Sequence, residues 1–269
     1  MKIQFLGAAG EVTGSRHSVE VMLSGQTKHF MVDYGMFQGG REATNKNLEP
    51  LPFSPKALDF VVLTHAHIDH SGLLPRLCAQ GFAGPIYCTK ATFELLKILL
   101  LDSAHLQRAD VERAERKQKA KLKGLTPLEV STLASIVEEE SNDQEDRYKI
   151  ASTYLNRLRK GMKLQADPTV KYVTRNFKLN RVMHGHLALS SPYNTYQNSG
   201  LPPGPICTPS FEALDAVLDA PETDYLFFVA SWRFDGSTIF TSNYTDHSRY
   251  VKLFHEEQNR RAAAKSLNP

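Results

Sequence analysis

Phe60-Val61-Val62-Leu63-Thr64-His65-Ala66-His67-Ile68-Asp69-His70 decides how the front of this chain folds. Four apolar residues in a row are too few for a helix and read as a short buried strand, so the polar residues after them occupy the loop at its end. That loop carries four side chains of metal-binding type, His65, His67, Asp69 and His70. Imidazole and carboxylate are ligands that zinc accepts, and a catalytic zinc takes about three protein ligands and keeps one position open. The motif therefore offers two half-sites, and a cofactor, zinc, for a front site that needs further ligands. Ser71-Gly72-Leu73-Leu74-Pro75 then turns into a helical segment.

Outward from this motif, strand-like runs cover Lys2 to Leu6, Ser18 to Met22, His29 to Asp33 and Ile86 to Cys88. Ser24-Gly25-Gln26-Thr27 closes a hairpin between the second and third. Thr89 to about Lys119 reads as helix. Strands alternating with helices make the front α/β. Gly7-Ala8-Ala9-Gly10-Glu11-Val12-Thr13-Gly14-Ser15 is glycine-rich but lacks the Gly-Lys-Ser/Thr ending of a P-loop, so it is expected to be a turn beside the metal loop.

These runs, together with Asp33-Tyr34-Gly35-Met36-Phe37-Gln38-Gly39-Gly40 and Leu101-Asp102-Ser103-Ala104-His105, resemble the metallo-β-lactamase fold hydrolases of the β-CASP branch, many of which cut RNA. The resemblance covers residues 1–118 and implies part of an αββα module. It implies that His65 and His67 bind one zinc, Asp69 and His70 another, and that Asp33 braces the ligands from behind. The family's later ligands, a histidine in a Gly-His turn, a bridging aspartate and a last histidine, have no match in the rest of the chain. His184-Gly185-His186 has chelating spacing without the matching context. A module ending near Gln118 is expected to leave sheet edge and apolar surface uncovered.

Composition sets the bounds. At 269 residues, with 41% hydrophobic and 23% charged residues, the chain is an ordinary globular protein of one large or two modest domains. A net charge of +3 is too small to argue for nucleic acid, and the basic cluster Arg113, Arg116, Lys117, Lys119, Lys121 and Lys123 is interleaved with Asp110, Glu112 and Glu115. Cys78, Cys88 and Cys207 give no disulfide framework. No run approaches the roughly 20 apolar residues of a membrane helix, and no signal-like segment opens the sequence, so a cytoplasmic location is expected from the chain as written.

Residues 119–124, Lys119 to Gly124, are basic, end in glycine and are expected to be a linker. Thr126-Pro127-Leu128-Glu129 behind them starts a helix, with Thr126 as N-cap, proline in the first turn and glutamate placed for a capping box. Leu133, Ile136 and Val137 form its buried stripe and Glu140 continues it, whereas Glu138 and Glu139 are expected to swing toward solvent. Burial disfavours a carboxylate, so Glu140 should keep its proton near neutral pH, as a general acid requires. A hydrated, frayed helix end is the alternative on spacing alone.

From Leu125 to Arg261 the chain resembles the catalytic domain of endolytic murein transglycosylases of the YceG (MltG) type, giving an expected second domain over 125–269 of α+β character. The matching runs are Leu133 to Ser141, Asn156-Arg157-Leu158, Leu164 to Val170, Ser191 to Tyr196 and Gly200 to Ile206. The resemblance implies cleavage of peptidoglycan glycan strands between N-acetylmuramic acid and N-acetylglucosamine. Glu140 would act as the single acid and base, a 1,6-anhydro end would be left, and no cofactor is needed. It also implies a cell-envelope location, at odds with the missing signal. Gln165 and Asp167 are candidate sugar or peptide contacts, with a turn role for Asp167-Pro168 as the alternative. Ser190 to Pro209, with five prolines, two glycines and two tyrosines, makes a stiff irregular wall. In it Tyr193 and Tyr196 could stack on sugar rings and Asn194 and Thr195 could hydrogen-bond; simple packing is the alternative for each. The competing function is a zinc-dependent hydrolase of RNA or another phosphoester. A chimera of two unrelated parts accounts for both halves.

Overall fold

The computed structural model describes residues 1–179 and 182–267. It separates into two compact units, Met1–Glu112 and Arg113–Pro269.

In the first unit β1 (Lys2–Gly7), β2 (Arg16–Leu23) and β3 (Gln26–Tyr34) form an antiparallel meander. The β2–β3 turn has Ser24 and Gly25 both at positive φ, 49° and 78°, the geometry of a two-residue turn that matches strand twist. After α1 (Arg41–Leu48), β4 (Phe60–Val62) joins β3 in parallel. α2 (Ile68–Ser71) and α3 (Leu74–Ala79) follow, and β5 (Ile86–Tyr87) completes a sheet of order β1-β2-β3-β4-β5. Met31, Val61, Leu63, Leu74 and Leu77 are buried over one face of it. Gly35 is where the His65 to His70 loop is held against β3: a Cβ there would lie 1.6 Å from the Asp69 carbonyl oxygen. Ser15 N–H donates to Asp69 O and Met36 N–H to Ile68 O, fastening both sides of that approach.

α4 (Lys90–Leu122) is one continuous helix, longer at its end than expected. Leu96, Leu99 and Leu100 pack on the first unit's core, whereas Phe93, Leu95, Ile98 and Leu101 are exposed. The basic stretch expected as a linker is instead the last turn of α4 and its cap. Ala120 is buried in the second unit's core, Leu125 N–H donates to Ala120 O, and Gly124 takes φ +70° to turn the chain. Arg116 and Lys119 reach Asp215 and Asp219 at 3.1 and 2.7 Å. Lysines that read as a solvated run are half engaged.

The second unit is built on α5 (Pro127–Glu140), α6 (Gln144–Arg159), α7 (Asp167–Thr174), the short α8 (His184–Leu187) and α9 (Phe211–Leu218). Its hairpin of β6 (Phe227–Ala230) and β7 (Thr238–Thr241) precedes α10 (Tyr244–Leu267). Of the His184-Gly185-His186 run, the His184 side chain lies outside the described residues. Leu133, Ile136, Val137, Ile150, Tyr154, Leu164 and Val217 are sealed from solvent where α5, α6 and α9 meet. The capping box is formed on both sides: Glu129 N–H donates to the Thr126 hydroxyl, and Glu129 Oε2 accepts from Thr126 N–H at 2.7 Å. Thr126→Ala is expected to lower the second unit's unfolding free energy by about 1 kcal/mol, measured by urea denaturation followed by circular dichroism. No helix among the described residues is long and apolar enough to cross a membrane.

Candidate active site

Helical rotation sends the three glutamates at the end of α5 to three environments. Glu139 is exposed. Glu138 is not in water as expected: it pairs with Arg147 at 2.8 Å and accepts from Ser210 N–H and the Ser210 hydroxyl. Burial works against its charge, but the Ser210 donors and the Arg147 guanidinium prevail and hold its carboxyl below the ordinary range. These partners come from α6 and from the N-cap of α9, and no local spacing could have announced them.

Glu140 turns inward. Its Oε1 accepts a 2.5 Å hydrogen bond from the Tyr154 hydroxyl, presented by the buried stripe of α6. Burial pushes the Glu140 carboxyl up to about 7; Tyr154 opposes this and the nearby charge of Asp167 adds to it. A carboxyl poised there is half protonated at neutral pH and can both give and take a proton.

A cavity of about 280 Å³ opens beside it, lined by Glu140, Tyr154, Arg157, Gln165, Asp167 and Tyr196, with Phe227, Phe228, Tyr244 and His247 completing the wall. Glu140 also borders a wider hollow of about 690 Å³ that runs past Asn142 and Asp146 to the β6–β7 turn. Arg157, only 7% exposed, ties the walls together. Its Nε donates to Leu226 O at 2.6 Å and its Nη1 to Leu164 O at 2.5 Å, and its guanidinium lies 5.1 Å from the Phe227 ring. The Tyr196 hydroxyl donates to Asp167 Oδ1 at 2.6 Å, and burial together with that carboxylate raises the Tyr196 phenol well above its ordinary value. Burial lowers His247, whose ring lies 5.1 Å from Phe227 with 22° between planes, so it lines the cavity as a neutral imidazole.

Of the residues expected to contact substrate, Gln165, Asp167 and Tyr196 share the cavity with Glu140, whereas three others do not. Asn194 is 0% exposed and donates to the Leu187 and Leu189 carbonyls. Thr195 is buried, accepting from Ala166 N–H and sharing a hydrogen bond with Thr169. Their polar atoms are consumed in pinning the proline-rich wall to α7 and α8, so neither faces a ligand. Tyr193 packs on Tyr172, with ring centroids 4.9 Å apart. Tyr154, the direct partner of Glu140, had a signal in the sequence: it falls on the Ile150, Ala151, Leu155, Leu158 stripe of α6, of which the matching runs took only Asn156 to Leu158.

In the first unit Asp33, left-handed at φ +60°, receives Thr64 N–H at 2.8 Å and lies 2.8 Å from His70 Nδ1. This leaves His70 Nε2 outward, 3.6 Å from Asp69 Oδ2. The His65 ring is 4.0 Å from His70 and 4.7 Å from His67, and its Nδ1 lies 3.0 Å from the Thr64 hydroxyl. Among the described residues no three His, Cys, Asp or Glu side chains form a group that could hold a metal ion. As arranged, the motif does not fit a bound zinc.

A family model described as the YceG-like family matches residues 92–253. The chain belongs to the YceG-like family. A second model, described as the metallo-beta-lactamase superfamily, matches residues 16–146 of this YceG-like chain, and the fold is α/β followed by α+β. It is 42% identical over 128 residues to an endolytic murein transglycosylase of Bacillus subtilis, covering 48% of this chain and 35% of that protein. It is 48% identical over 103 residues to a ribonuclease of Thermus thermophilus, covering 38% of this chain and 22% of that one. A crystal structure of a yceG-like protein from Listeria monocytogenes aligns at TM-score 0.48 and 31% identity, covering 61% of this chain and 52% of that chain. The YceG-like chain thus spans about a third or less of the length of these two curated relatives.

Proposed function

We propose that the second unit is a lytic transglycosylase of peptidoglycan, cleaving the β-1,4 bond between N-acetylmuramic acid and N-acetylglucosamine and leaving a 1,6-anhydro end. The observation that carries this is the half-buried Glu140 carboxyl, tied to Tyr154, facing a cavity and poised to hold a proton near pH 7. The transglycosylase named in Bacillus subtilis supports it. Protonated Glu140 gives its proton to the glycosidic oxygen as the bond from C1 breaks. The sugar's own 6-hydroxyl then bonds to C1 and returns its proton to the Glu140 carboxylate. Water is not the nucleophile, so the reaction needs no second carboxylate to activate it. Asp167, which lines the cavity, is held by Tyr196 and favours the protonated form of Glu140 by its charge. Gln165, Asp167 and Tyr196 are the sugar contacts. Activity on glycan strands places the working protein at the cell envelope.

The test is digestion of purified peptidoglycan with products read by mass: ends lighter by one water than hydrolysed ends support the proposal, and hydrolysed ends or none refute it. Because the first step needs Glu140 protonated, kcat is expected to decline as pH rises through about 7, roughly tenfold per unit beyond it, as initial rates between pH 5 and 9 would show.

The first unit supports a second reading, a metal-dependent hydrolase of RNA or another phosphoester, through its likeness to the Thermus ribonuclease. Against it stands the donor arrangement at His65 to His70. RNA cleavage abolished by a chelator and restored by zinc would favour this second reading.

A further inference from the structure

Glu140 must work twice in the proposed reaction, first as acid and then as base, and its two oxygens stand in different surroundings. Oε1 is met by the Tyr154 hydroxyl at 2.5 Å. Oε2 has no hydrogen-bond partner among the described residues and is not among the sealed polar atoms. Tyr154 is 1% exposed, and its ring packs edge-on to Phe228 with centroids 5.7 Å apart, so the hydroxyl has little freedom to turn away. Burial and the neighbouring Glu140 charge hold the phenol well above its ordinary pKa, which makes it a permanent donor. The other charged or titratable groups around the pair are Arg157 on α6, Asp167 and Lys171 on α7, Tyr196 on the proline-rich wall and His247 on α10.

We propose that Tyr154 is a positioning residue that permanently occupies Oε1 of Glu140, so that the proton exchanged with substrate travels on Oε2 alone. In the first step the Oε2–H bond breaks, its proton passes to the leaving glycosidic oxygen, and that oxygen's bond to C1 breaks. The charge left on the carboxylate is shared with Oε1, where the tyrosine hydrogen bond holds it. In the second step the 6-hydroxyl oxygen bonds to C1 and its proton forms a new Oε2–H bond, restoring the acid. Tyr154 exchanges no proton with substrate at any point. A hydrogen bond to one oxygen only also turns the carboxyl so that Oε2 is the atom open to the cavity.

This rests on the transglycosylase reading for the reaction but not for the pairing, and the experiment separates the two. The full chain, labelled with carboxyl-13C glutamate, is titrated by NMR, the Glu140 resonance being the one missing from Glu140→Gln. Tyr154→Phe removes one oxygen from a buried ring and keeps the packing. It is expected to move the Glu140 midpoint upward from about 7 and to lower kcat about 10- to 100-fold, the loss of one hydrogen bond to a charged group. KM stays unchanged, and the fall in rate on the alkaline side moves up with the midpoint. A midpoint that stays or falls in Tyr154→Phe overturns the pairing. If that variant does not fold, the wild-type protein decides: a downfield Tyr154 hydroxyl proton that responds to the Glu140 titration supports the pairing, and its absence in the cold overturns it. The expected titration combined with no anhydro ends removes the transglycosylase reading and leaves the pairing intact.

Discussion

Glu140→Gln is expected to abolish release of anhydro ends from peptidoglycan, by about a thousandfold or more, while making the second unit more stable. The rate loss follows from removing a group that supplies both proton transfers, each worth about 10²- to 10⁴-fold in well-studied cases. The gain in stability follows from linkage. The folded Glu140 carboxyl titrates near 7 against an ordinary value of 4.5, so folding favours its protonated form. The stability this contributes is full below about pH 4.5 and lost as pH rises through 7. Glutamine is a neutral isostere that cannot ionise, so it keeps what the wild type loses: little difference at pH 4, and up to about 3 kcal/mol in favour of the variant at pH 8. Melting temperatures of both proteins at the two pH values, beside product analysis by mass, check both halves. An inactive variant with an unchanged pH 8 melting temperature would mean that Glu140 is hydrated in the folded protein.

The second large effect is on folding. Arg157→Ala is expected to destabilise the second unit by about 3 kcal/mol or more, because it strands the Leu164 and Leu226 carbonyls with no donor, each costing about 1–3 kcal/mol. Arg157→Lys should recover little of this. An ammonium cannot reproduce the planar fork that reaches two carbonyls from different segments. Urea midpoints of the three proteins would show it, and a lysine variant within about 0.5 kcal/mol of wild type would refute the account.

Much of this was written locally. The β2–β3 turn and the capping box at Thr126 each depend on neighbours within one turn of chain and can be read from a handful of residues, whereas spacing left Glu140 either buried or hydrated until Tyr154 of α6 met it. What could not be read depends on distant partners. Glu138 looked hydrated because Arg147 and Ser210 meet it from other elements. Asn194 and Thr195 looked available because the carbonyls and hydroxyl that use them lie on α7 and α8. Lys119 to Gly124 looked like a linker because its composition is polar, although Ala120 among those residues docks in a core assembled from elsewhere. The His65 to His70 spacing is a local signal too, but whether such side chains form one metal-holding group is decided by packing beyond the motif, and among the described residues no such group forms.

α5 ends in an acidic run with no basic residue in its last turn. The aligned peptide dipoles of a helix leave partial negative charge at that end, where cations are favoured and anions are not. The helix is therefore electrically mismatched at the residue proposed to do the chemistry, and the mismatch acts in the same direction as burial by disfavouring the charged form of Glu140. A stabilising redesign that follows the usual preference and places lysine at the exposed Glu139 would relieve the helix end, but its positive charge would also favour the carboxylate form of Glu140 and so weaken its hold on the proton. At this turn, tolerance of an ill-suited helix terminus and the supply of acid at neutral pH are two aspects of one charge distribution, and improving the first weakens the second.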